Sequence, residues 1–163
     1  MKSLSKNMDT QTAEQLYRFL KEQKLLTLAT TDERGNPWTA NLFYDVDESF
    51  TFYFVSSVEA DHSKHLVQNS MVAFNVVWFD PSDHMNRKGV QGSGICRVAE
   101  NEEIERGIKG HNERFPEFAD RITVDWVTSN DNPAKVWVIE SKRMKFWNDE
   151  LFGVNGTQDW VSV

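Results

Sequence analysis

The chain has little cysteine and no long apolar run, and each shortage excludes a class of protein. Its 163 residues include one cysteine. The single thiol, Cys96, cannot form an internal disulfide or build a cysteine-rich zinc site, and it fits a reducing compartment. No stretch approaches the ~18 apolar residues of a membrane span. The first ten residues lack the hydrophobic region of a secretory signal. These absences predict a soluble cytoplasmic protein.

Positive charge is also scarce. Lys and Arg total 18 against 25 Asp and Glu, which gives a formal net charge of −7. Nucleic acids and anionic membranes are bound through basic faces, so neither is an expected partner. At about 150 residues per domain, the length predicts one domain over residues 1–163, with a frayed polar segment at 1–8. Aromatic residues make up 12% of the chain, which suits a strand-rich core, a planar ligand or a subunit interface.

The spacing of apolar residues predicts a mainly β fold with a few peripheral helices. Short turns join most of the strands, and residues 80–88 are expected to form a polar loop. The predicted strands cover 25–31, 38–46, 50–55, 71–79, 89–99 and 135–147, and the predicted helices cover 10–23, 60–68 and 100–114. This order is typical of an antiparallel β-barrel of about six strands, and it differs from an alternating parallel arrangement.

Familiar catalytic motifs are missing. There is no nucleophile elbow and no P-loop, and the G-S-G run at 92–94 lies within a predicted strand, unlike a dinucleotide fingerprint. His62 and His65 would share a helix face, but only Asp61 stands near them as a further ligand, so no metal site is predicted. Cys96 lies in a predicted strand and is interpreted as a structural thiol.

One segment combines hydroxyl, imidazole and ammonium groups. Ser56 and Ser57 end a strand, and H-S-K-H follows at 62–65 in a short helix. Backbone N–H groups at a helix N-terminus, together with such side chains, can bind a phosphate. The same residues also suit a solvated polar turn, so both interpretations stay open on the residues alone.

Several short motifs, taken in order, resemble a known family. They are N-L-F-Y at 41–44, D-H-S-K-H-L at 61–66, G-V-Q at 89–91, N-E-R-F-P at 112–116, and M-K-F at 144–146 with Asp149 and Gly153 beyond it. Together they resemble the FMN-binding split β-barrel family typified by pyridoxamine 5′-phosphate oxidase, over about residues 13–153. The likeness is strongest to a small uncharacterised branch. It implies a split antiparallel barrel of the FMN-binding type, and a homodimer with FMN in a cleft between the subunits.

The resemblance also implies which residues contact the cofactor. The expected ligands lie on one strand along the flavin edge, in the segment that leads into the short helix, and on two later strands. They are Thr39, Ala40, Asn41 and Leu42 for the ring, Ser57, His62, Ser63 and Lys64 for the phosphate, and Gln91 and Trp147 elsewhere on FMN, with Trp147 from the other subunit.

An FMN-dependent oxidoreductase of unknown substrate is the function that the resemblance implies. The cofactor would carry the redox chemistry, so no side chain is assigned as acid or base. The chain departs from the family oxidase, because T-A-N-L-F-Y at 39–44 replaces the basic R-x-V-L-L-K strand. The oxidase's C-terminal Arg- and Trp-bearing segment has no clear counterpart here. Vitamin B6 oxidase activity is therefore not expected.

Other functions of the same fold remain open. The segment at 60–66 is similar to that of haem-handling relatives, with His62 or His65 as the ligand. A flavin-binding module without turnover, a deazaflavin in place of FMN, and a barrel that has lost its ligand are the further alternatives.

Overall fold

Eight antiparallel strands form one curled, open sheet in the computed structural model, which describes residues 7–163. The strands are β1 (Leu25–Thr31), β2 (Pro37–Phe43), β3 (Asp45–Val46), β4 (Thr51–Ser57), β5 (Met71–Asp80), β6 (Asp83–Val98), β7 (Ala134–Asn148) and β8 (Thr157–Val161). Their order in the sheet is β2-β1-β5-β6-β7-β4-β3, and β8 pairs with β7. Of the described residues, 44% lie in strands and 29% in helices. The predicted mainly β, split antiparallel barrel is confirmed, and it takes the form of an open, curled half-barrel.

Within residues 7–163, five α-helices surround the sheet. They are α1 (Thr10–Glu22), α2 (Asp61–Gln68), α3 (Glu102–Arg114), α4 (Val124–Thr128) and α5 (Asp149–Phe152), with a 3-10 turn at Pro116–Phe118. Helix α1 begins at Thr10 because the Asp9 carboxylate accepts a hydrogen bond from the Thr12 N–H at 3.0 Å. No helix of residues 7–163 is long and apolar enough to cross a membrane.

The core lies inside the curl of the sheet. Along β1 and β5 alternate residues point inward, and the largest buried side chains of the sheet include Phe52, Phe54 and Phe146. The inward face of α1 adds Leu16 and Leu20, both fully buried. A second cluster on the other face of β4 and β7 packs against α3 and α4. Its members are Tyr53, Ala99, Ile108, Ile122, Val127, Val136 and Val138.

The hairpin of β5 and β6 is longer than expected. A polar loop was predicted over 80–88, but β6 begins at Asp83, so that prediction is wrong for most of its length. Contacts outside the local sequence stabilise the polar extension. Arg87 Nε donates to Asp149 at 3.1 Å, and the Lys88 ammonium lies 4.9 Å from the centroid of the Trp78 ring.

The C-terminal tail differs from expectation, and the described end of the N-terminal segment contacts it. Residues 1–6 of the predicted frayed segment lie outside the described part of the chain, whereas Asn7 and Met8 hydrogen-bond to β8. Strand β8 itself was not predicted, because its sequence T-Q-D-W-V does not alternate apolar and polar residues. It extends the sheet beyond the six strands that were expected.

A gap separates the two edges of the sheet. The strand predicted over 38–46 breaks at Tyr44, whose buried hydroxyl donates to the Leu20 carbonyl at 2.6 Å. The chain then crosses from β2 at one edge to β3 at the other. Within residues 7–163, β2 pairs only with β1, and β3 covers only the first part of β4. The free edge of β2 and the end of β4 therefore face an opening in the barrel.

Candidate functional site

A cavity of about 410 Å³ occupies the gap between β2 and β4; it is called the split cavity below. Residues of both open strands line it together with the segment that contains α3, the 3-10 turn and α4. They are Asn41, Leu42, Phe43, Val55, Ser56, Ser57, His111, Phe118, Arg121, Ile122, Trp126 and Ala134. Aromatic and aliphatic side chains dominate this wall, with a few polar groups among them, as in many small-molecule sites.

The β2 side of the split cavity is held by specific contacts. Asn41 Oδ1 accepts a hydrogen bond from the Thr27 hydroxyl of β1 at 2.8 Å, which fixes the amide at the cavity rim. Phe43, next but one along the strand, packs its ring 4.9 Å from Phe115 and 6.2 Å from Phe118. The wall opposite the open strands is therefore aromatic.

A histidine and an arginine complete the wall. His111 is 5% exposed, and its Nδ1 lies 3.0 Å from Asn112 Oδ1. The Asn112 amide donates to the Ile122 carbonyl at 2.8 Å. That bond orients its oxygen toward the ring, so His111 Nδ1–H donates to it; in a neutral imidazole Nε2 is then the acceptor. The Arg121 guanidinium lies 5.9 Å over the Phe118 ring, and no carboxylate of residues 7–163 is within 4.0 Å of it.

The predicted phosphate residues differ in how accessible they are. His62 is buried and its Nε2 lies 2.8 Å from the Ser56 hydroxyl; burial lowers the pKa of the imidazole below its ordinary value. Ser63 is fully buried, and its hydroxyl has no hydrogen-bond partner in the described chain. Lys64 is exposed on α2, and Ser57 lines the split cavity while its hydroxyl accepts from the Glu59 N–H.

The structure divides the remaining predicted residues into two groups. Asn41 and Leu42 line the split cavity, with Thr39 and Ala40 further along the same strand. The other two, Gln91 and Trp147, border a separate hollow of about 270 Å³ on β6 and β7. The pairing register puts Gln91 three strands from Asn41, about 14 Å along the sheet at ~4.8 Å per strand. Within one chain these groups do not meet.

Much of the split cavity was missed by the sequence reasoning. The side chains of His111, Phe118, Arg121 and Trp126 come from 100–133, a segment for which no ligand contact was predicted. The motif N-E-R-F-P at 112–116 was the available indication, since its Pro116 begins the 3-10 turn that positions Phe118.

The family is shown by comparison with known proteins. The pyridoxamine 5′-phosphate oxidase family model matches residues 12–148. The chain belongs to the pyridoxamine 5′-phosphate oxidase family. It is 30% identical over 139 residues to a UPF0306 protein of Campylobacter jejuni, covering 85% of this chain and 90% of that one. It is also 30% identical over 155 residues to the UPF0306 protein YhbP of Escherichia coli, covering 94% and 95%.

Solved structures share the fold at low sequence identity. A haem-binding protein from Mycobacterium smegmatis superposes with a TM-score of 0.75 at 18% identity, over 94% of this chain and 59% of that chain. This chain therefore spans less than two thirds of that structure. HutZ, the haem storage protein from Vibrio cholerae, gives a TM-score of 0.64 at 20% identity, over 79% and 89%.

Proposed function

We propose that the protein is a homodimeric, FMN-dependent oxidoreductase whose substrate is unknown. The split cavity carries this proposal, because it joins two open strand edges to an apolar and aromatic wall. Proteins of this family often bind flavin. A cytoplasmic location is part of the proposal and is supported by the single cysteine, which is buried and unpaired.

The split cavity suits the flavin ring. The edge of an isoalloxazine alternates hydrogen-bond donors and acceptors, and an unpaired strand edge presents N–H and C=O groups in alternation. Leu42, Val55 and Trp126 supply the apolar surroundings that a planar ring needs. Bound FMN would supply reversible electron transfer, while this chain binds the ring and excludes water from it.

The phosphate would be held beside α2. Lys64 has neither a hydrogen bond nor a carboxylate partner within residues 7–163, so its ammonium is available to a phosphate. The buried Ser63 hydroxyl has no partner in the described part of the chain, so it is a further donor for a ligand at the start of α2. The donors are few, since Thr39 and Tyr44 stand where the family oxidase has basic residues.

A second copy of the chain is needed to complete the site. Gln91 and Trp147 lie too far along the sheet to reach the split cavity of their own chain. The outer face of the sheet also exposes large apolar side chains, with Phe43 46%, Leu25 51% and Phe79 54% exposed. Such a face is typical of a subunit interface. Sedimentation as a monomer at micromolar concentration would contradict the shared site.

The function can be tested with the purified protein. Flavin absorption bands, or quenching of FMN fluorescence that saturates near one FMN per chain, would support the site. Lys64→Ala should raise the Kd for FMN about tenfold, the effect of one lost charge-assisted contact. Lys109→Ala, an exposed lysine on α3, is the matched control and should leave the Kd unchanged. A purified protein that does not bind FMN in these titrations would refute the proposal.

Electron transfer requires a separate measurement. Bleaching of the bound flavin by NADH or NADPH under anaerobic conditions would support an oxidoreductase. Binding of FMN with no reduction by either nucleotide would favour a flavin-binding module without turnover.

Haem binding is the second candidate, and one observation favours it. His65 is half-buried and its Nδ1 lies 3.0 Å from the Thr30 hydroxyl, which leaves Nε2 as the nitrogen for a metal. Metal-binding histidines are commonly oriented through their other nitrogen in this way. His62 is less suited, because its Nε2 contacts Ser56. A Soret band that is lost in His65→Ala would decide for haem.

A further inference from the structure

A row of polar side chains crosses the outer face of the sheet. Residues that pair directly across antiparallel strands project from the same face. Six such positions align on six neighbouring strands, and each one carries a polar residue. In sheet order they are Asn41, Thr27, Asn75, Gln91, Lys145 and Asp159. One end of this row lies at the split cavity, and Gln91 and Lys145 lie near the other end.

The charge of Lys145 is not paired within residues 7–163. Its side chain is half-buried, and within residues 7–163 its ammonium makes no hydrogen bond and has no carboxylate within 4.0 Å. Among the lysines of residues 7–163, Lys64 is the other one whose ammonium has neither a hydrogen bond nor a carboxylate partner. An ammonium without an internal partner is free to make a charge-assisted contact with a ligand that brings negative charge.

Two hollows lie beside Lys145, and each is also lined by an arginine. A hollow of about 280 Å³ lies on one side with Ser93 and Arg143, and the hollow of about 270 Å³ lies on the other with Trp147 and Arg87. Arg143 is paired with Asp159 at 3.1 Å and Arg87 with Asp149 at 3.1 Å. The positive charge left to attract an anion therefore resides on Lys145.

Lys145 cannot serve the split cavity of its own chain. Four strand steps separate it from Asn41, about 19 Å along the sheet. A two-fold contact through the outer faces would place the same patch of each protomer against the other. Gln91 lies directly opposite Lys145, and Trp147 is two residues along on the same face. Any dimer that delivers Gln91 and Trp147 to a partner's cavity also delivers Lys145.

Resting on the flavin function proposed above, we propose that Lys145 of one protomer binds the anionic part of the FMN held in its partner's split cavity. From across the interface, Lys145 would supply the positive charge that β2 lacks. Two parts of FMN carry negative charge: the phosphate, and the ring edge of the reduced flavin. Both are recognised by the same ammonium chemistry, and they are separated by comparing FMN with riboflavin.

Lys145→Met removes the charge and keeps the length of the side chain, and Lys142→Met is the matched control on the same strand. Lys142 is exposed and lies 3.6 Å from Glu140. We expect the first variant to raise the Kd for FMN about tenfold, with a shallower dependence on salt, and the control to match the wild type. Unchanged riboflavin affinity would assign Lys145 to the phosphate. A parallel loss for riboflavin, with a lower reduction potential, would assign it to the ring.

Mixed dimers test whether Lys145 acts across the interface. Lys64→Met and Lys145→Met homodimers are each defective at both sites. In a heterodimer of the two, a cross-subunit Lys145 restores one intact site, because one cavity then has Lys64 from its own chain and Lys145 from the other. Recovery of wild-type affinity at half of the sites is expected. If Lys145 acts within its own chain, every site stays defective, and the proposal is overturned.

A purely structural role gives a different result. Asp159 Oδ1 is buried without a partner in the described chain, and Asp159 lies opposite Lys145. If Lys145 serves only that carboxylate, Lys145→Met lowers Tm and leaves the Kd for FMN equal to that of the control. That outcome overturns the inference while flavin binding stands. A wild-type protein that binds no FMN removes the proposed function and this inference together.

Discussion

Replacing Gly110 by alanine sets two effects of opposite sign against each other. Gly110 lies on the buried face of α3 against Asp45 of β3, and an added Cβ would collide with the Asp45 carboxylate. That carboxylate is 8% exposed at the residue level and is held by Lys21 at 2.6 Å and by Arg114 at 3.5 Å. Moving it disturbs an ion-pair cluster that joins α1, β3 and the end of α3.

The expected magnitude follows from those contacts. Within a helix, alanine is favoured over glycine by about 1 kcal/mol. Overpacking a buried contact costs about 1–3 kcal/mol, and a buried carboxylate that loses part of its pairing costs more, up to about 3–5 kcal/mol when a partner is removed outright. We therefore expect Gly110→Ala to lower the free energy of unfolding by about 2 kcal/mol, which at this chain length lowers Tm by roughly 4–8 °C.

Urea unfolding followed by circular dichroism measures this change directly. The double variant Asp45→Ala/Gly110→Ala separates the two effects, because the added methyl group then has no carboxylate to strike. In the Asp45→Ala background, the alanine at 110 should be neutral or stabilising. A single Gly110→Ala variant that is more stable than the wild type would refute the packing described here.

Three further predictions concern ionisable groups. Burial lowers the pKa of His62 below 6.5, so the unfolded chain binds more protons and stability falls as the pH drops from 6.5 through the folded pKa; His62→Gln should flatten that slope in urea titrations at several pH values. Burial raises the pKa of the Cys96 thiol to about 12, so Ellman's reagent should react only in denaturant, and rapid reaction of the native protein would contradict its burial. Hydrogen bonds from Arg97 lower the pKa of Glu103 to about 2. Glu103→Gln should therefore cost about 1 kcal/mol at neutral pH, and the difference should vanish as the pH falls from 4.5 to about 2.

The local sequence pattern was sufficient to predict the bounds of a strand where that strand buries one face and turn residues mark its ends. Strand β1 was predicted with its bounds because its burial alternates and the hairpin after it has a strong turn. In that turn, Asp32 Oδ1 accepts from the N–H groups of Arg34 and Asn36 at 2.8 Å. The start of β6 was missed because its polar residues are stabilised by Asp149 and Glu150, more than 60 positions away. No local rule reports such partners.

The candidate site was accessible to sequence reasoning only in part. Asn41, Leu42 and Ser57 were predicted as ligands from the family motifs, and the fold places them along the split cavity. The opposite wall was not predicted, because His111 and Arg121 follow Asn41 by about 70–80 positions and only the fold brings them together. A segment with mixed patterning gives no indication of which side chains will face a cavity.

The position of Lys145 shows why a register cannot be counted from the sequence. Cys96 pairs with Ile139, and uninterrupted pairing from there would place Gln91 opposite Met144. A bulge between Ser93 and Gly94 inserts one extra residue into β7, so Gln91 instead faces Lys145. Because side chains alternate between the two faces of a strand, that one residue turns Met144 into the core and Lys145 outward. Without the bulge, β7 would bury a lysine and expose a methionine, so the hydrophobic core itself enforces the register that aligns Lys145 with Gln91.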